Sequence, residues 1–126
     1  MQKRGNSAIL LLAMIICAVC ACSCANSAAI VGKWANSDRT ILFDGQRFEV
    51  RFMNSQKVLG FRGSYALQGK SLTLKYEEYL DSAGKWTGLE GTDFQGYQEK
   101  ITLKATKTRL DTFIPASGKS YSYIRD

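Results

Sequence analysis

The chain has 126 residues, of which 45% are hydrophobic, and it carries a formal net charge of +6. A chain of this length forms one small domain, which excludes a large multidomain enzyme. It contains no histidine, so the most common general base is absent, and its four cysteines all lie within residues 17–24, too close together to staple a fold with disulfide bonds.

The first segment of the chain has the pattern of an export signal. Lys3 and Arg4 precede "AILLLAMIICAV", residues 8–19, which contains no charged or strongly polar side chain. An apolar core of 12 residues has the length of a signal-peptide core, whereas a helix needs about 20 residues to span a bilayer. The sequence therefore predicts an exported protein and favours a signal peptide over a transmembrane anchor.

The stretch "CAVCACSC", residues 17–24, resembles a bacterial lipobox, in which a cysteine after small residues is diacylglyceryl-modified and becomes the new N-terminus. "VCAC", which ends at Cys22, fits that pattern best, and "ACSC", which ends at Cys24, is second. The resemblance implies a lipid anchor on Cys22, with Cys24 as the alternative. Acyl chains contribute about 0.8 kcal/mol per buried CH₂ group, so more than one chain holds a domain on a membrane.

Two other interpretations of this region stay open. "SAA", residues 27–29, is also a site for the ordinary signal peptidase. A thiolate metal cluster is disfavoured because the cysteines lie in the export segment, and we predict no bound metal and no other cofactor.

These features divide the chain into a signal peptide at residues 1–21, a tether at residues 22–29 and one domain at residues 30–126. Removing the signal peptide takes away Lys3 and Arg4 and leaves 15 basic against 11 acidic residues, a net charge of +4. The basic stretch at residues 100–109 is typical of a solvated face, or of weak attraction to anionic lipid headgroups. The modest charge and the export signal argue against a nucleic-acid partner.

Beyond residue 30, apolar and polar side chains alternate with period two, which predicts β-strands. In chain order the predicted strands are RTILF (39–43), RFEVRFM (47–53), FRGSYAL (61–67), SLTLKYE (71–77), a segment near WTGLEGTDF (86–94), KITLKAT (100–106), TRLDTFI (108–114) and KSYSYIRD (119–126). Residues that tolerate positive φ separate several of them: Asp44 and Gly45, Gln68 and Gly69, Ala83 and Gly84, Ser117 and Gly118. We predict an all-β fold, a single small antiparallel up-and-down barrel of about eight strands, because closure removes exposed sheet edges.

Three places along the chain resemble the small bacterial lipocalin-like domains. They are "GKW" (32–34), which precedes the first predicted strand, "GSYALQGKSLTL" (63–74), and "YSYIRD" (121–126) at the end of the chain. The resemblance implies a lipocalin-like barrel in which Trp34 plugs the closed end and Arg125 caps it. A cation over an indole face contributes about 0.5–2 kcal/mol. "TDF", residues 92–94, is similar to a second lipocalin motif with Phe in place of Tyr, and we treat this likeness as a coincidence.

The predicted inward-facing side chains are bulky. An eight-stranded barrel is either filled by its own side chains or holds one small ligand, and this many rings favours a filled interior. A pocket would lie at the end opposite Trp34 and take an apolar molecule with one polar group. Its possible lining residues are Phe48, Phe52, Phe61, Tyr65, Tyr76, Tyr121 and Tyr123.

The sequence predicts a protein that is not an enzyme. It offers no histidine base, and we expect the neighbouring carboxylates of Glu77 and Glu78 to point to opposite faces of one strand. The expected function is that of a lipid-anchored, extracytoplasmic lipocalin-like protein, periplasmic or surface-exposed, that binds a small apolar ligand or a partner surface.

The alternative is an inhibitor of an extracellular enzyme, a lysozyme or a protease, or an adhesive module on the same barrel. "SGKSY", residues 117–121, is similar to the S-G-x-x-Y loop of periplasmic lysozyme inhibitors. The cysteine pair that supports that loop in the inhibitor family is missing here, so we rank this alternative below the lipocalin-like function.

Overall fold

The fold is that of a computed structural model, which describes residues 29–126. The predicted signal peptide, both candidate lipidation residues Cys22 and Cys24, and most of the predicted tether lie outside this range. A helical segment at residues 29–30 leads into nine strands within residues 29–126. The strands are β1 (Gly32–Ala35), β2 (Arg39–Phe43), β3 (Arg47–Phe52), β4 (Val58–Gln68), β5 (Ser71–Asp81), β6 (Trp86–Gly88), β7 (Gln98–Ala105), β8 (Arg109–Ile114) and β9 (Lys119–Arg125). Within this range, helical structure does not reach the length and apolar character that a bilayer-spanning segment needs.

Eight of these strands close into an antiparallel barrel. In the series β1, β2, β3, β4, β5, β7, β8 and β9, each strand pairs antiparallel with the next. The barrel closes where β9 returns to β1, with Trp34 opposite Arg125 and Ala35 opposite Ile124. β6 pairs with the last part of β5, beyond the part that pairs with β7. The prediction of an all-β, up-and-down barrel of about eight strands is confirmed.

Two of the predicted strand assignments are corrected. Gly32–Ala35, which we expected to precede the first strand, is β1 itself. The strand has only four residues, and only one of them is buried, so its sequence shows no alternation of apolar and polar residues. The predicted strand at residues 86–94 is extended only at Trp86–Gly88. Beyond it, Gly91 and Gly96 have φ values of 76° and 71°, and successive turns replace the strand.

The inward-facing side chains form a single core. Buried and exposed positions alternate along β3 and β7, because successive side chains of a strand point to opposite faces. The core includes Trp34, Phe43, Phe48, Val50, Phe61, Leu67, Leu72, Leu74, Ile101, Leu103, Leu110 and Tyr123.

The two ends of the barrel differ. The short turns after β2, β4 and β7 lie at the same end as residues 29–31, and we call this the closed end. The loops at residues 36–38, 53–57, 82–97 and 115–118 lie at the opposite end, which we call the open end. The longest connection of the barrel, which contains β6, therefore lies at the open end.

A β-bulge in β5 overturns the expectation for Glu77 and Glu78. Arg62 pairs with Glu78 while the next residue of β4, Gly63, pairs with Tyr76, so Glu77 is an extra residue in β5. Glu77 contacts Arg47 at 2.9 Å and Glu78 contacts Arg62 at 3.0 Å, in partly exposed ion pairs. Both carboxylates lie on the outer surface, so the prediction of opposite faces is wrong. The hydrogen bond from Arg62 lowers the pKa of Glu78.

Candidate ligand site at the open end of the barrel

Trp34 and Arg125 lie together at the closed end. The indole of Trp34 is fully buried, and its Nε1 donates a hydrogen bond to the carbonyl of Ile30 at 2.9 Å. The guanidinium carbon of Arg125 lies 4.1 Å from the centre of the indole ring. The geometry is that of a ring inside the barrel with a cation stacked on it.

Arg125, at the end of β9, also binds two other segments of the closed end through its hydrogen bonds. It donates to the carbonyls of Ala29, Val31 and Lys107 at distances of 3.0, 2.8 and 2.8 Å. Gly32 has a φ of 128°, and a Cβ there would come within 2.6 Å of Nη1 of Arg125. The backbone conformation of Gly32 therefore favours glycine, and a side chain there would displace the end of Arg125. These contacts seal the closed end.

The interior of the barrel is largely filled. The remaining inner cavity has a volume of about 40 Å³, and its lining includes Arg39, Tyr76, Glu99 and Tyr121. A volume of this size holds a few water molecules at most, whereas ligand pockets measure about 300–1,000 Å³. Packed rings occupy the space, as between Phe61 and Tyr76, whose centres are 4.9 Å apart.

Open space of ligand size lies at the open end. One cleft of about 480 Å³, which we call the mouth cleft, is lined by Asp38, Arg39, Phe52, Asn54, Ser55, Val58, Phe61 and Phe94. A second cleft of about 390 Å³ adjoins it and shares Val58, Phe61 and Phe94. The ring of Phe94 is 41% exposed and packs on Phe61 with ring centres 5.2 Å apart. The mouth cleft thus has an aromatic floor and is open to solvent.

Arg39 is the basic side chain of the mouth cleft. It begins β2 and borders the inner cavity together with Ile41 and Phe43 of the same strand. Its guanidinium carbon lies 5.1 Å from the ring centre of Phe52 and 4.6 Å from that of Tyr121. The Nε of Arg39 is buried and has no hydrogen-bond partner among residues 29–126. A buried donor without an acceptor costs free energy, so Arg39 has unused capacity for hydrogen bonding.

Glu99 is the acidic side chain of the inner cavity, and two tyrosines bind it. The hydroxyl of Tyr76 donates to Oε1 at 3.4 Å, and the hydroxyl of Tyr97 donates to Oε2 at 3.2 Å. Burial, and then the charge of Glu99, raise the pKa of both Tyr76 and Tyr97. Both hydroxyls therefore stay protonated near neutral pH and continue to donate to the carboxylate.

The structure brings together most of the ring-bearing residues that the sequence suggested, but not all. Phe52 and Phe61 line the mouth cleft. Four others border the inner cavity: Phe48, Tyr76, Tyr121 and Tyr123. Tyr65 stands apart, near the closed end, where its hydroxyl donates to the carbonyl of Asp44 at 2.6 Å and its ring packs on Phe43.

Sequence reasoning missed Arg39, Val58, Phe94 and Glu99. A signal existed for Arg39, because it occupies the same inward row of β2 as Ile41 and Phe43. Phe94 lies in the turns after β6, where no periodicity indicates which way a side chain points. "TDF" thus contributes Phe94 to both clefts at the open end.

Buried tyrosines predict a loss of stability in alkali. Burial raises the pKa of Tyr123 to about 12 and also raises that of Tyr76, whereas an unfolded tyrosine ionises near pH 10. Between these pH values the unfolded chain has released protons that the folded chain still holds. The contribution of these two tyrosines to the free energy of unfolding is therefore constant below about pH 10 and falls as the pH rises above that value. Urea unfolding across this range should give a shallower pH slope for Tyr123→Phe than for the wild type, and equal slopes would contradict the burial of this phenol.

We compared the chain with protein-family models, with curated proteins and with solved structures. None of the three comparisons gives a match. Membership of the lipocalin-like family therefore stays a prediction from the sequence motifs.

Proposed function

We propose that the protein is a lipid-anchored, extracytoplasmic, lipocalin-like binding protein that takes a small, largely apolar ligand at the mouth cleft and catalyses no reaction. The observation that supports this function best is the mouth cleft itself. It offers about 480 Å³ at the open end of a barrel whose other end is sealed. This volume lies in the range of small-molecule sites, and the rings of Phe52, Phe61 and Phe94 give it an apolar surface.

The size of the inner cavity favours the mouth over the interior as the binding site. An inner volume of about 40 Å³ leaves no room for a ligand of ordinary size. Enlarging it would require separating packed rings such as those of Phe48 and Tyr76, whose centres lie 5.5 Å apart. A ligand therefore binds on the open-end side of these rings, and at most one end of the ligand reaches the inner cavity.

The position of Ala29 favours an outward-facing mouth. The carbonyl of Ala29 accepts a hydrogen bond from Arg125 at the closed end. The predicted tether ends at Ala29 and so joins the barrel at that end, and a lipid on Cys22 would hold the closed end near the membrane. The mouth cleft then faces away from the membrane, where a ligand or partner has access to it.

The segment at residues 117–121, which is similar to a lysozyme-inhibitor loop, covers the end of the turn between β8 and β9 and the first three residues of β9. Gly118 has a φ of 71°, and its amide donates to the carbonyl of Ile114 at 2.8 Å. The amide of Lys119 donates to the hydroxyl of Ser117. A hairpin turn explains these residues, and we propose no inhibitory function from them.

Native mass spectrometry of the chain, extracted gently from its own membrane, tests the anchor. We expect the mature chain to begin at Cys22 and to carry the mass of its acyl chains. Cys22→Ala should remove that mass, and Cys24→Ala should leave it unchanged. A wild-type chain without acyl mass would rule out the lipid anchor, and acyl mass that survives in Cys22→Ala and disappears in Cys24→Ala would move it to Cys24.

The same spectra test the ligand site. We expect a reproducible additional mass from a small molecule that stays bound to the wild type and is lost in Phe94→Ala. Phe113→Ala is the matched control, because Phe113 is 42% exposed, close to the 41% of Phe94, but lies on β8 outside both clefts. A bound molecule that both variants retain would place the site elsewhere, and its absence from every gentle preparation would count against ligand binding.

A further inference from the structure

The arginines of the barrel differ in their partners. Residues 29–126 contain six arginines, and five of them have an acceptor. Four bind a carboxylate and one binds backbone carbonyls: Arg47, Arg51, Arg62, Arg109 and Arg125. Arg39 is the exception, because no carboxylate of the described residues lies within 4.0 Å of its guanidinium.

The acids that line the two spaces bordered by Arg39 form no ion pair with it. Asp38 lines the mouth cleft and Glu99 borders the inner cavity, but neither forms an ion pair with the guanidinium. Glu99 instead accepts hydrogen bonds from Tyr76 and Tyr97. Phe52 and Tyr121 hold the guanidinium through their ring faces, which fixes its position and supplies no hydrogen-bond acceptor.

Arg39 stands at the boundary between the two spaces. It borders both the inner cavity of about 40 Å³ and the mouth cleft of about 480 Å³. Its Nε is buried without a partner, so an acceptor there would replace an unmade hydrogen bond in a poorly solvated place. A guanidinium presents its donors in a planar fork that fits the oxygens of a carboxylate or a phosphate.

From this arrangement we propose that the ligand of the mouth cleft is an anionic amphiphile, whose carboxylate or phosphate binds Arg39 and whose hydrocarbon chain lies on Val58, Phe61 and Phe94. This inference rests on the proposed function and adds the chemical class of the ligand. The acidic group of the ligand lies beside Arg39, where the inner cavity meets the mouth cleft, and its hydrocarbon chain runs outward through the mouth cleft. Arg39 is then the residue that determines specificity for an acid over a neutral lipid.

Isothermal titration calorimetry of the membrane-extracted chain in lipid nanodiscs, with empty nanodiscs as the blank, tests the proposal. Three probes share one chain length and differ in the head group: octanoate, octyl phosphate and octan-1-ol. We expect one or both anions to bind the wild type at least about tenfold more tightly than the alcohol, since a charge-assisted hydrogen bond contributes that much. The stronger of the two anions identifies the head group as a carboxylate or a phosphate.

Substitutions at Arg39 assign the effect to this residue. Arg39→Gln should weaken anion binding by about tenfold or more and leave alcohol binding within about twofold. Arg39→Lys keeps the charge but loses the fork, so its affinity for the anions should lie between those of the wild type and the glutamine variant. Arg51→Gln is the matched control, because Arg51 lies opposite Thr40 on the neighbouring strand, outside the mouth cleft, and binds Glu49.

The outcomes separate the inference from the function on which it rests. If the alcohol binds the wild type as tightly as the anions, the mouth takes neutral ligands and the assignment of Arg39 is overturned. If Arg39→Gln weakens the alcohol and the anions equally, Arg39 only shapes the cleft, and the inference also fails. If none of the three probes binds, both the inference and the proposed site at the mouth are overturned. The comparison of head groups on the wild type does not depend on whether a variant folds.

Discussion

Replacing Trp34 with alanine should lower the free energy of unfolding by about 3–5 kcal/mol, the range for a large aromatic side chain removed from a core. The indole is fully buried, donates a hydrogen bond to Ile30 and carries the guanidinium of Arg125 on its face. Alanine would leave a cavity that the paired strands around it cannot close. It would also leave the carbonyl oxygen of the buried residue Ile30 without its hydrogen-bond donor. Urea unfolding followed by circular dichroism measures the change.

The other tryptophan provides the control for this prediction. Trp86 lies on β6, outside the barrel ring, and its indole stacks with Arg62, whose guanidinium carbon is 4.4 Å from the ring centre. Because Trp86 is only partly buried, Trp86→Ala should cost about 1 kcal/mol, mainly the loss of this stacking. A loss below about 1 kcal/mol for Trp34→Ala, well outside the range for a buried aromatic ring, would show that Trp34 does not hold the closed end together.

The barrel could be predicted because its long strands follow a local rule. Alternation of apolar and polar residues, as in "RFEVRF", requires only that one face of the sheet is dry. Alternation does not identify β1 and β6, because strands of four and three residues are too short to show it. Pairing with residues distant in the chain decides where these two strands begin and end. Gly32–Ala35 is extended because it is held between β2 and β9. Nothing within its own four residues signals this.

The site was harder to predict than the fold, for physical reasons that differ between its parts. Trp34 and Arg125 are 91 residues apart in the chain, and only the resemblance to lipocalin-like motifs linked them. Arg39 was passed over because a charged residue usually marks the wet face of a strand, although its position in the row of Ile41 and Phe43 indicated the interior. The bulge at Glu77 depends on how β5 pairs with β4. Alternation along β5 alone carries no information about that pairing, so it could not predict the bulge.

Gly63→Ala should lower the free energy of unfolding by about 3 kcal/mol, at the upper end of the usual range for an overpacked core. Gly63 lies on β4 opposite Tyr76, next to the register shift that makes Glu77 an extra residue. A Cβ at this position would overlap the carbonyl oxygen of Lys75 and come within 3.1 Å of the amide nitrogen of Glu77. Both atoms belong to the backbone, so no side-chain rotation relieves the overlap, and β4 and β5 must separate locally.

Gly88→Ala is the matched control for this methyl group. Gly88 is also a strand glycine that pairs with β5, but a Cβ there meets no atom within 4 Å. Urea unfolding should therefore show little change for Gly88→Ala, and a similar small change for Gly63→Ala would contradict the close approach of β4 and β5. Because Phe61 lies two residues before Gly63 on β4 and lines the mouth cleft, a shift of β4 should displace its ring. We therefore expect Gly63→Ala, unlike Gly88→Ala, to release the bound molecule in native mass spectra as well as to destabilise the barrel.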